Sequence, residues 1–377
     1  MAVENEVIQG DCIEWLRSQE EPFADLVFAD PPFNIGYKYD VYEDRKAYDD
    51  YYQWTHDWMQ GCSDVLKPAG AFWVAIGAEY AAEVRMIGRQ LGLTLRNWII
   101  WHYTFGQNTK AKFARAHVHL FYFTKSPTDF TFNREAVAVF SDRQKEYNDK
   151  RASSLGRVPF DVWTEFPRVC GSFAEREGWH PCQMPEALLA RIVRACSNLG
   201  DMVFDPFSGS GTTLAVAKKL GRRYAGTELS EDYATNIRRR LDESPTPAEL
   251  DWSQPAWPNT VRRELASLYM ENSLGPQHYR QQPHLWRIFV EQFNKRMESI
   301  GLEANFEPDA VWEQLALLQR DAMLGRIKVH LPTVGEGRFT APPGQAGDGS
   351  SAKKAPAPRR KTRRRRSSAE APGGGLF

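Results

Sequence analysis

The chain has few cysteines and no long hydrophobic run. Five cysteines occur in 377 residues, and none has the paired spacing of a zinc site, since even Cys170 and Cys182 are too far apart for a metal knuckle. We therefore expect no bound metal and reduced thiols, as in a cytoplasmic protein. The absence of an apolar span and of an N-terminal signal pattern predicts a protein that neither enters a membrane nor is exported.

The chain also lacks a net charge, but its charges are unevenly distributed. It contains 48 Lys and Arg and 48 Asp and Glu. Residues 353–366 hold nine Lys or Arg and no acid, so the remainder is acidic by the same amount. A basic tail on an acidic body predicts a polyanionic partner, with a solubilising or localisation tail as the alternative. The hydrophobic fraction of 42% indicates a globular body with a sizeable core.

The most informative stretch is Asp30-Pro31-Pro32-Phe33, which follows the apolar run 26–29. The run predicts a buried parallel strand, which the prolines end because neither donates a backbone hydrogen bond. In open α/β sheets, ligands bind at the carboxyl ends of strands. A carboxylate, the Pro31 carbonyl and an aromatic face suit a planar ring that carries an exocyclic amine. The alternative is an ordinary strand-ending turn.

A glycine-rich loop forms the second candidate site. A predicted strand at 202–204 leads into Asp205–Gly211, a helix at 212–220, and a strand at 223–227 that ends in Glu228. Glycines let a ligand approach a helix N-terminus, and an acid after the next strand can hold ribose hydroxyls. The loop has neither the third glycine of the dinucleotide fingerprint nor the lysine of a phosphate loop, so it predicts a nucleoside site. A tight turn without a ligand is the alternative.

The remaining pattern alternates short apolar runs with helical segments. After a strand at 6–10, Asp11 either caps a helix or reaches a nucleotide. Loop 37–50 is either a mobile segment over a site or a surface loop. Further strands are predicted at 71–76, 97–103 and 118–124, and helices at 48–66, ending at Lys67–Gly70, and at 79–91. This alternation predicts a mainly parallel sheet with helices on both faces.

Two regions interrupt or follow this pattern. Residues 125–180 are polar, and 101–176 holds twelve Lys and Arg against eight Asp and Glu. This segment is either a nucleic-acid surface or a solvated insertion. The pattern resumes with a helix at 185–199, in which Pro185 lies in the first turn. Residues 259–325 are predicted to be helical, and the stretch from Pro332 onward is predicted to be disordered.

The order of three motifs resembles the β-class DNA amino-methyltransferases. These motifs are the Asp30 turn, His180-Pro181-Cys182-Gln183-Met184-Pro185-Glu186, and the loop with its following threonines, Asp205–Thr213. The resemblance covers roughly residues 5–240. It implies an α/β fold, the circularly rearranged class I (Rossmann-like) methyltransferase sheet of seven strands. The implied divisions are a catalytic half (1–124), a target-recognition insert (125–179), a cofactor-binding half (180–245), a helical region (246–330) and a disordered basic tail (331–377).

The resemblance also implies roles for individual residues. The catalytic set is Asp30, Pro31, Pro32 and Phe33. The loop would lie along the methionine part of S-adenosylmethionine, Glu228 would hold the ribose, and Asp11 would contact the adenine amine. Met184 stands where the family usually has Lys. The full implied cofactor set is Asp11, Cys12, Asp30, His180, Gln183, Pro185, Asp205, Pro206, Phe207, Ser208, Gly209, Gly211, Thr212, Thr213, Glu228 and Leu229.

The implied reaction is methyl transfer from S-adenosylmethionine to an amine of a base flipped out of DNA. A motif that opens with aspartate is the family's commoner form for adenine N6, and cytosine N4 is the alternative. Methylation of RNA or of a protein glutamine, and an inactive DNA-binding module, also stay open. The expected partner is DNA, and a homodimer and a cognate restriction nuclease are open as further partners.

Overall fold

An eight-stranded sheet organises the residues that the computed structural model describes, which are 4–104, 109–147, 149, 151–171, 173, 175–323 and 339. The strands, in chain order, are β1 (Glu6–Gln9), β2 (Ala24–Ala29), β3 (Leu66–Ile76), β4 (Thr94–His102), β5 (His117–Thr124), β6 (Val162–Trp163), β7 (Met202–Asp205) and β8 (Arg223–Glu228). They lie side by side in the order β1-β8-β7-β2-β3-β5-β4-β6. Strand β5 is antiparallel to both neighbours, and the other pairs are parallel.

This order confirms the predicted, rearranged α/β sheet. The late strands β7 and β8 lie between the early strands β1 and β2. The early strand β2 and the late strand β7 thus lie side by side at the point where strand order reverses, which is where ligands bind in such sheets. Seven strands match the expected sheet, and the short β6, which comes from the insert, extends it beside β4.

Helices cover both faces of the sheet. They are α1 (Cys12–Arg17), α2 (Tyr48–Val65), α3 (Ala81–Gln90), α4 (Asp142–Lys145), α5 (Glu186–Cys196), α6 (Thr212–Lys219), α7 (Glu231–Asp242), α8 (Asn259–Asn272), α9 (Pro276–Gln281), α10 (Pro283–Glu298) and α11 (Pro308–Met323). One hydrophobic core packs α1 to α3 against the sheet. The other packs α5 to α8, α10 and α11 against the opposite face. Among the described residues, no helix has the length and apolar character that crossing a bilayer requires.

The predicted end of the helix at about residue 66 is confirmed, since α2 ends at Val65, but the predicted stop at Lys67–Gly70 is not a turn. Strand β3 begins at Leu66, directly after α2, and includes these residues. The pairing register between β2 and β3 shifts here, since Ala24 lies opposite Leu66 whereas Leu26 lies opposite Ala71. Such an irregularity interrupts the ladder, which is where a strand accommodates a proline.

The insert is not an irregular solvated excursion. Phe140, Trp163 and Phe166 are buried in the core that α5 and the helical region share. The Phe140 amide donates to Asn272 Oδ1 of α8 at 2.7 Å, and Gln292 Nε2 of α10 donates to the Leu155 carbonyl at 2.7 Å. The insert is thus fixed between the sheet and the C-terminal helices.

Buried ion pairs fasten the helical region to α5. Arg191 contacts Glu271 of α8 at 2.6 Å, and Arg296 of α10 contacts the same carboxylate at 2.9 Å. Arg194 donates to Glu264 of α8. The predicted helical character of 259–325 is confirmed as far as Met323. The domain boundaries stay predictions, and the expected tail, except Phe339, lies outside the described residues.

Candidate active site

The site lies at the carboxyl ends of the neighbouring strands β2, β7 and β8. Leu26 of β2 lies opposite Val203 of β7, and Val27 lies opposite Phe204. This register brings Asp30 and Asp205, the residues at the two strand ends, to the same edge of the sheet. Glu228 ends β8 beside them. Sequence reasoning predicted each acid, and the sheet topology brings the three together.

The Asp30 turn, residues 30–33, is held by contacts with α2 and with the end of β3. The Tyr51 hydroxyl of α2 donates to the Pro32 carbonyl at 2.6 Å, and Pro31 is buried. A Cβ built on Gly77 would lie 3.2 Å from Phe33 Cδ2. The Phe33 ring is thus fixed against the end of β3. The Pro31 carbonyl accepts no hydrogen bond from any described residue, so it is free to accept one from a ligand.

Asp44 organises the loop that follows the turn, a role that sequence reasoning missed. Its buried carboxylate accepts hydrogen bonds from the backbone amides of Asn34 (2.7 Å), Ile35 (3.0 Å) and Tyr37 (2.9 Å). Asn34 adopts a left-handed conformation with φ of 55°, and its side chain donates to the Tyr80 hydroxyl at 2.8 Å. The predicted segment 37–50 is therefore anchored at its start.

The Asp30 carboxyl group has a strongly perturbed pKa. Burial raises it first and the Asp205 charge raises it further, to about 7, while Arg168 opposes the shift. Arg168 belongs to the insert, and its guanidinium lies 5.7 Å from the centre of the Tyr103 ring. The insert therefore places a positive charge beside the Asp30 turn. No sequence motif indicated this charge. Perturbed carboxyl groups in a cleft are typical of functional sites.

The glycine loop is a tight turn that only glycines allow. Gly209 and Gly211 have φ of 50° and 72°. A Cβ on Gly211 would lie 2.8 Å from Ile237 Cγ2, so α7 packs directly on the loop backbone. Asp205 accepts a hydrogen bond from the Phe207 amide at 2.9 Å, and burial raises the pKa of this acid to about 7.

Glu228 spans the loop and the start of α7. Its carboxylate accepts hydrogen bonds from the Gly209 amide at 2.8 Å and from the Ser230 amide at 3.0 Å. Burial raises its pKa. Each carboxylate oxygen has a second lone pair, so both amide contacts leave acceptor capacity for ribose hydroxyls. The Ser230 hydroxyl also donates to Asp40 at 2.6 Å, which ties the segment 37–50 to this acid.

His180 forms a neutral wall beside the loop. A Cβ on Gly209 would lie 3.1 Å from its Cε1 atom, and the Tyr233 ring centre is 4.9 Å away. Its Nδ1 contacts the Cys182 carbonyl. Burial lowers the pKa of His180 to about 4, so the imidazole is uncharged at neutral pH.

The other residues of this motif hold the backbone. Gln183 donates to the Glu175 carbonyl at 2.6 Å and accepts from the Glu177 amide at 2.8 Å, so both ends of its amide are engaged. Pro185 is the N-cap of α5 and not, as predicted, part of its first turn. The cofactor contacts of Gln183 and Pro185 stay predictions.

The first strand-to-helix turn contributes two further predicted residues. Asp11 Oδ1 accepts from the amides of Ile13 and Glu14, which confirms the cap. The neighbouring Gly10 amide donates to the Glu228 carbonyl at 2.9 Å, so Asp11 lies near the predicted ribose acid. Cys12 is buried. Leu229 is 41% exposed beside the same acid.

A buried ion cluster supports the glycine loop from behind. Arg240 of α7 donates to the Ser210 carbonyl at 2.8 Å and to Glu186 at 2.9 Å. Lys219 of α6 contacts Glu186 at 2.9 Å, and Arg263 of α8 donates to its other oxygen. These cations hold the pKa of Glu186 well below its usual range, against the effect of burial. Sequence reasoning named Glu186 only as part of a motif and missed its partners.

An open groove adjoins the His180 wall. Its volume is about 620 Å³. The side chains that line it are Lys38, Tyr39, Asp40, Arg176, Trp179, Pro181, Asp232, Tyr233 and Asn236. Cationic and aromatic groups thus lie together between the segment 37–50 and α7. Within the described residues, no three His, Cys, Asp or Glu side chains are arranged to hold a metal ion.

Known proteins share these elements. A DNA methylase family profile matches residues 24–239, more than half of the chain. The type II methyltransferase M.HpaI of Haemophilus parainfluenzae is 34% identical over 241 residues, which cover 64% of this chain and 75% of that protein. The DNA adenine methyltransferase YhdJ of Escherichia coli (strain K12) is 35% identical over 244 residues, covering 63% and 82%.

A solved structure shares the fold. The PvuII DNA methyltransferase (cytosine-N4-specific) aligns with a TM-score of 0.50 at 20% identity, over 64% of this chain and 87% of that one. The profile match includes the Asp30 turn, the His180 motif and the glycine loop. It confirms the predicted resemblance, DNA methylation as the activity and S-adenosylmethionine as the methyl donor. The chain belongs to the DNA methylase family.

Proposed function

We propose that this protein methylates N6 of an adenine that is flipped out of DNA at a specific sequence. The observation that carries the proposal is the position of Asp30 beside Asp205, at the ends of the paired strands β2 and β7. An amine acceptor and a nucleoside loop thus share one sheet edge. The aspartate that opens the turn favours adenine, and the relative YhdJ is named as an adenine methyltransferase.

The charged groups around the glycine loop fit S-adenosylmethionine. Three carboxyl groups, Asp30, Asp205 and Glu228, lie around the loop, and no cation lies in the Asp205–Thr213 stretch. Acidic groups suit ribose hydroxyls and a sulfonium cation and would repel a phosphate. The cofactor supplies an electrophilic methyl group on a positively charged sulfur. The loop, Glu228 and the neutral His180 would hold it, with Asp11 near its adenine.

The chain's residues activate and align the amine. An exocyclic amine is a poor nucleophile because its lone pair is delocalised into the ring. Asp30 and the free Pro31 carbonyl would accept its two hydrogens, and Phe33 would stack on the base. Bound S-adenosylmethionine would supply the methyl group and leave as the neutral thioether, so the methylated nitrogen would carry one surplus proton. The nitrogen then loses one proton to Asp30, which passes it to solvent.

Expression in a methylation-free host tests the activity and the target atom. Genomic DNA digested to nucleosides and analysed by mass spectrometry should contain N6-methyladenine. Detection of N4-methylcytosine instead would identify cytosine N4 as the target atom. The absence of any methylated base would refute the proposal. Asp30→Ala should abolish transfer and retain S-adenosylmethionine binding by calorimetry, since Asp30 faces the amine. The expected homodimer, cognate nuclease and cytoplasmic location stay predictions.

A further inference from the structure

The loop between β4 and β5 carries an aromatic side chain that is almost fully exposed. Phe113 has 99% of its surface exposed. Lys110 and Lys112, which precede it in the loop, are exposed as well. An isolated exposed apolar residue is common on protein surfaces, but its position and surroundings distinguish this one.

Hydrogen bonds hold the described part of the loop that contains Phe113, residues 109–116. The Tyr103 amide donates to the Ala116 carbonyl at 2.9 Å, which closes the hairpin. The Thr109 hydroxyl donates to the Lys112 carbonyl, which closes a turn directly before Phe113. The aromatic ring is therefore presented on a defined backbone.

The loop lies beside the Asp30 turn. Arg115 forms an ion pair with Glu79. A Cβ on Gly77 would lie 3.5 Å from Arg115 Nη1 and 3.2 Å from Phe33 Cδ2, so both side chains flank one glycine. Phe113 is two residues from Arg115, a separation that spans at most about 7 Å of chain.

The surroundings of the loop suit a polyanion. The sequence contains no Asp or Glu between Glu83 and Asp129. Seven Lys or Arg occur in that stretch, and three of them, Lys110, Lys112 and Arg115, lie in the loop itself, whereas Arg96 and Lys125 lie at the opposite end of the hairpin, where Thr94 pairs with Thr124. Cations beside an exposed ring can neutralise phosphates on either side of an inserted side chain.

We propose that Phe113 is a positioning residue that enters the DNA stack as the target base leaves it, while Lys110 and Lys112 contact the flanking phosphates. The inference rests on the proposed function, because a base must leave the duplex to reach Asp30. Extrusion leaves a gap between stacked pairs, and apolar side chains fill such gaps in other DNA complexes. Phe113 touches neither the amine nor the cofactor.

The test uses the full chain and a duplex with the sequence that methylation mapping identifies. Phe113→Ala should lower kcat/KM on this duplex by about tenfold or more, the size of a lost stacking contact. Phe113→Trp should restore most of it. Trp252→Ala, which removes an exposed aromatic residue of the C-terminal region, is the matched control and should match wild type.

A duplex with a mismatched base opposite the target adenine distinguishes insertion of Phe113 into the base stack from a general contribution of Phe113 to DNA binding. An unpaired base is easier to extrude, so the defect of Phe113→Ala should shrink to about threefold or less on the mismatched duplex. S-adenosylmethionine affinity, measured by calorimetry, should not change.

Three results would overturn the inference. Wild-type kcat/KM for Phe113→Ala, or an equal loss on paired and mismatched duplexes, would exclude a role in extrusion. A changed oligomeric state of the variant by light scattering would assign Phe113 to a contact between copies. A wild-type protein that methylates no DNA would instead refute the proposed function itself.

Discussion

The pH dependence of methyl transfer should report the ionisation of Asp30. Burial and the Asp205 charge raise its pKa to about 7, and only the ionised form can take up the proton that the methylated amine releases. The active form therefore increases as the pH rises through this pKa. About a tenth of the carboxyl groups are ionised one pH unit below the pKa and about nine tenths one unit above it. We expect kcat/KM to rise about tenfold between pH 6 and pH 8.

Arg168 provides the matched variants. Its charge opposes the rise in the Asp30 pKa, so Arg168→Met should move the rising limb to higher pH, whereas Arg168→Lys should keep it in place. Asp205 also has a pKa raised to about 7 by burial, and Asp205→Asn removes both this titration and the charge that raises the Asp30 pKa, so the limb in this variant should move to lower pH. Tyr39 and Cys182 face Asp30 as well, but burial raises the pKa of each, so both are neutral in this range.

The measurement is initial methyl-transfer rates at subsaturating DNA from pH 5.5 to 9, with a stability check at each pH. A flat profile between pH 6 and pH 8 would refute the assignment of Asp30 as the ionising acceptor. A limb that stays in place in Arg168→Met would show that the insert does not act on Asp30.

Three further predictions follow from the site and the tail. Glu186→Gln removes the carboxylate that Lys219, Arg240 and Arg263 share, while Arg240 keeps Glu177 and Arg263 is partly exposed, so it should lower the free energy of unfolding by about 3 kcal/mol in denaturant titrations; an unchanged midpoint would contradict this. Glu228→Ala should weaken S-adenosylmethionine binding more than about tenfold in calorimetry, since a hydrogen bond to a charged group contributes about 1.5–3 kcal/mol; unchanged affinity would place the nucleoside elsewhere. Deleting 351–377 should lower DNA affinity and flatten its salt dependence, by about 0.9 in logarithmic slope per lost phosphate contact; an unaltered slope would exclude a DNA-binding arm.

The sequence predicted those parts of the site that follow from short-range backbone chemistry. Two prolines end β2 after Asp30, and glycines with positive φ shape the turn after Asp205. Each strand-to-loop junction is encoded within a few residues, so reading along the chain was enough. The adjacency of β2 and β7 followed only from the family resemblance, because their residues are far apart in sequence.

The parts that were missed depend on contacts between distant segments. Asp44 lies in a polar loop, and nothing near it indicates that its carboxylate gathers three amides. Arg168 and Arg240 are ordinary charged residues in sequence, and only the folded chain brings them to Asp30 and to the glycine loop. Pro68 resembles a helix stop in sequence, because the register shift between β2 and β3 cannot be recognised without the partner strand.

The buried arginines of α5 determine where this chain can be truncated and still fold. Arg191 and Arg194 are fully enclosed, and their carboxylate partners come from α8 and from the insert. A fragment that ends after α7 would lose Glu264 and Glu271, so Arg194 would have no carboxylate partner and Arg191 only Glu165, and apolar surface of α5 that packs in the same core would be exposed. Helix α11 is tied in turn to α8 through Arg262 and Asp321 at 2.8 Å. The smallest portable unit for a fusion or a chimaera therefore extends through α11.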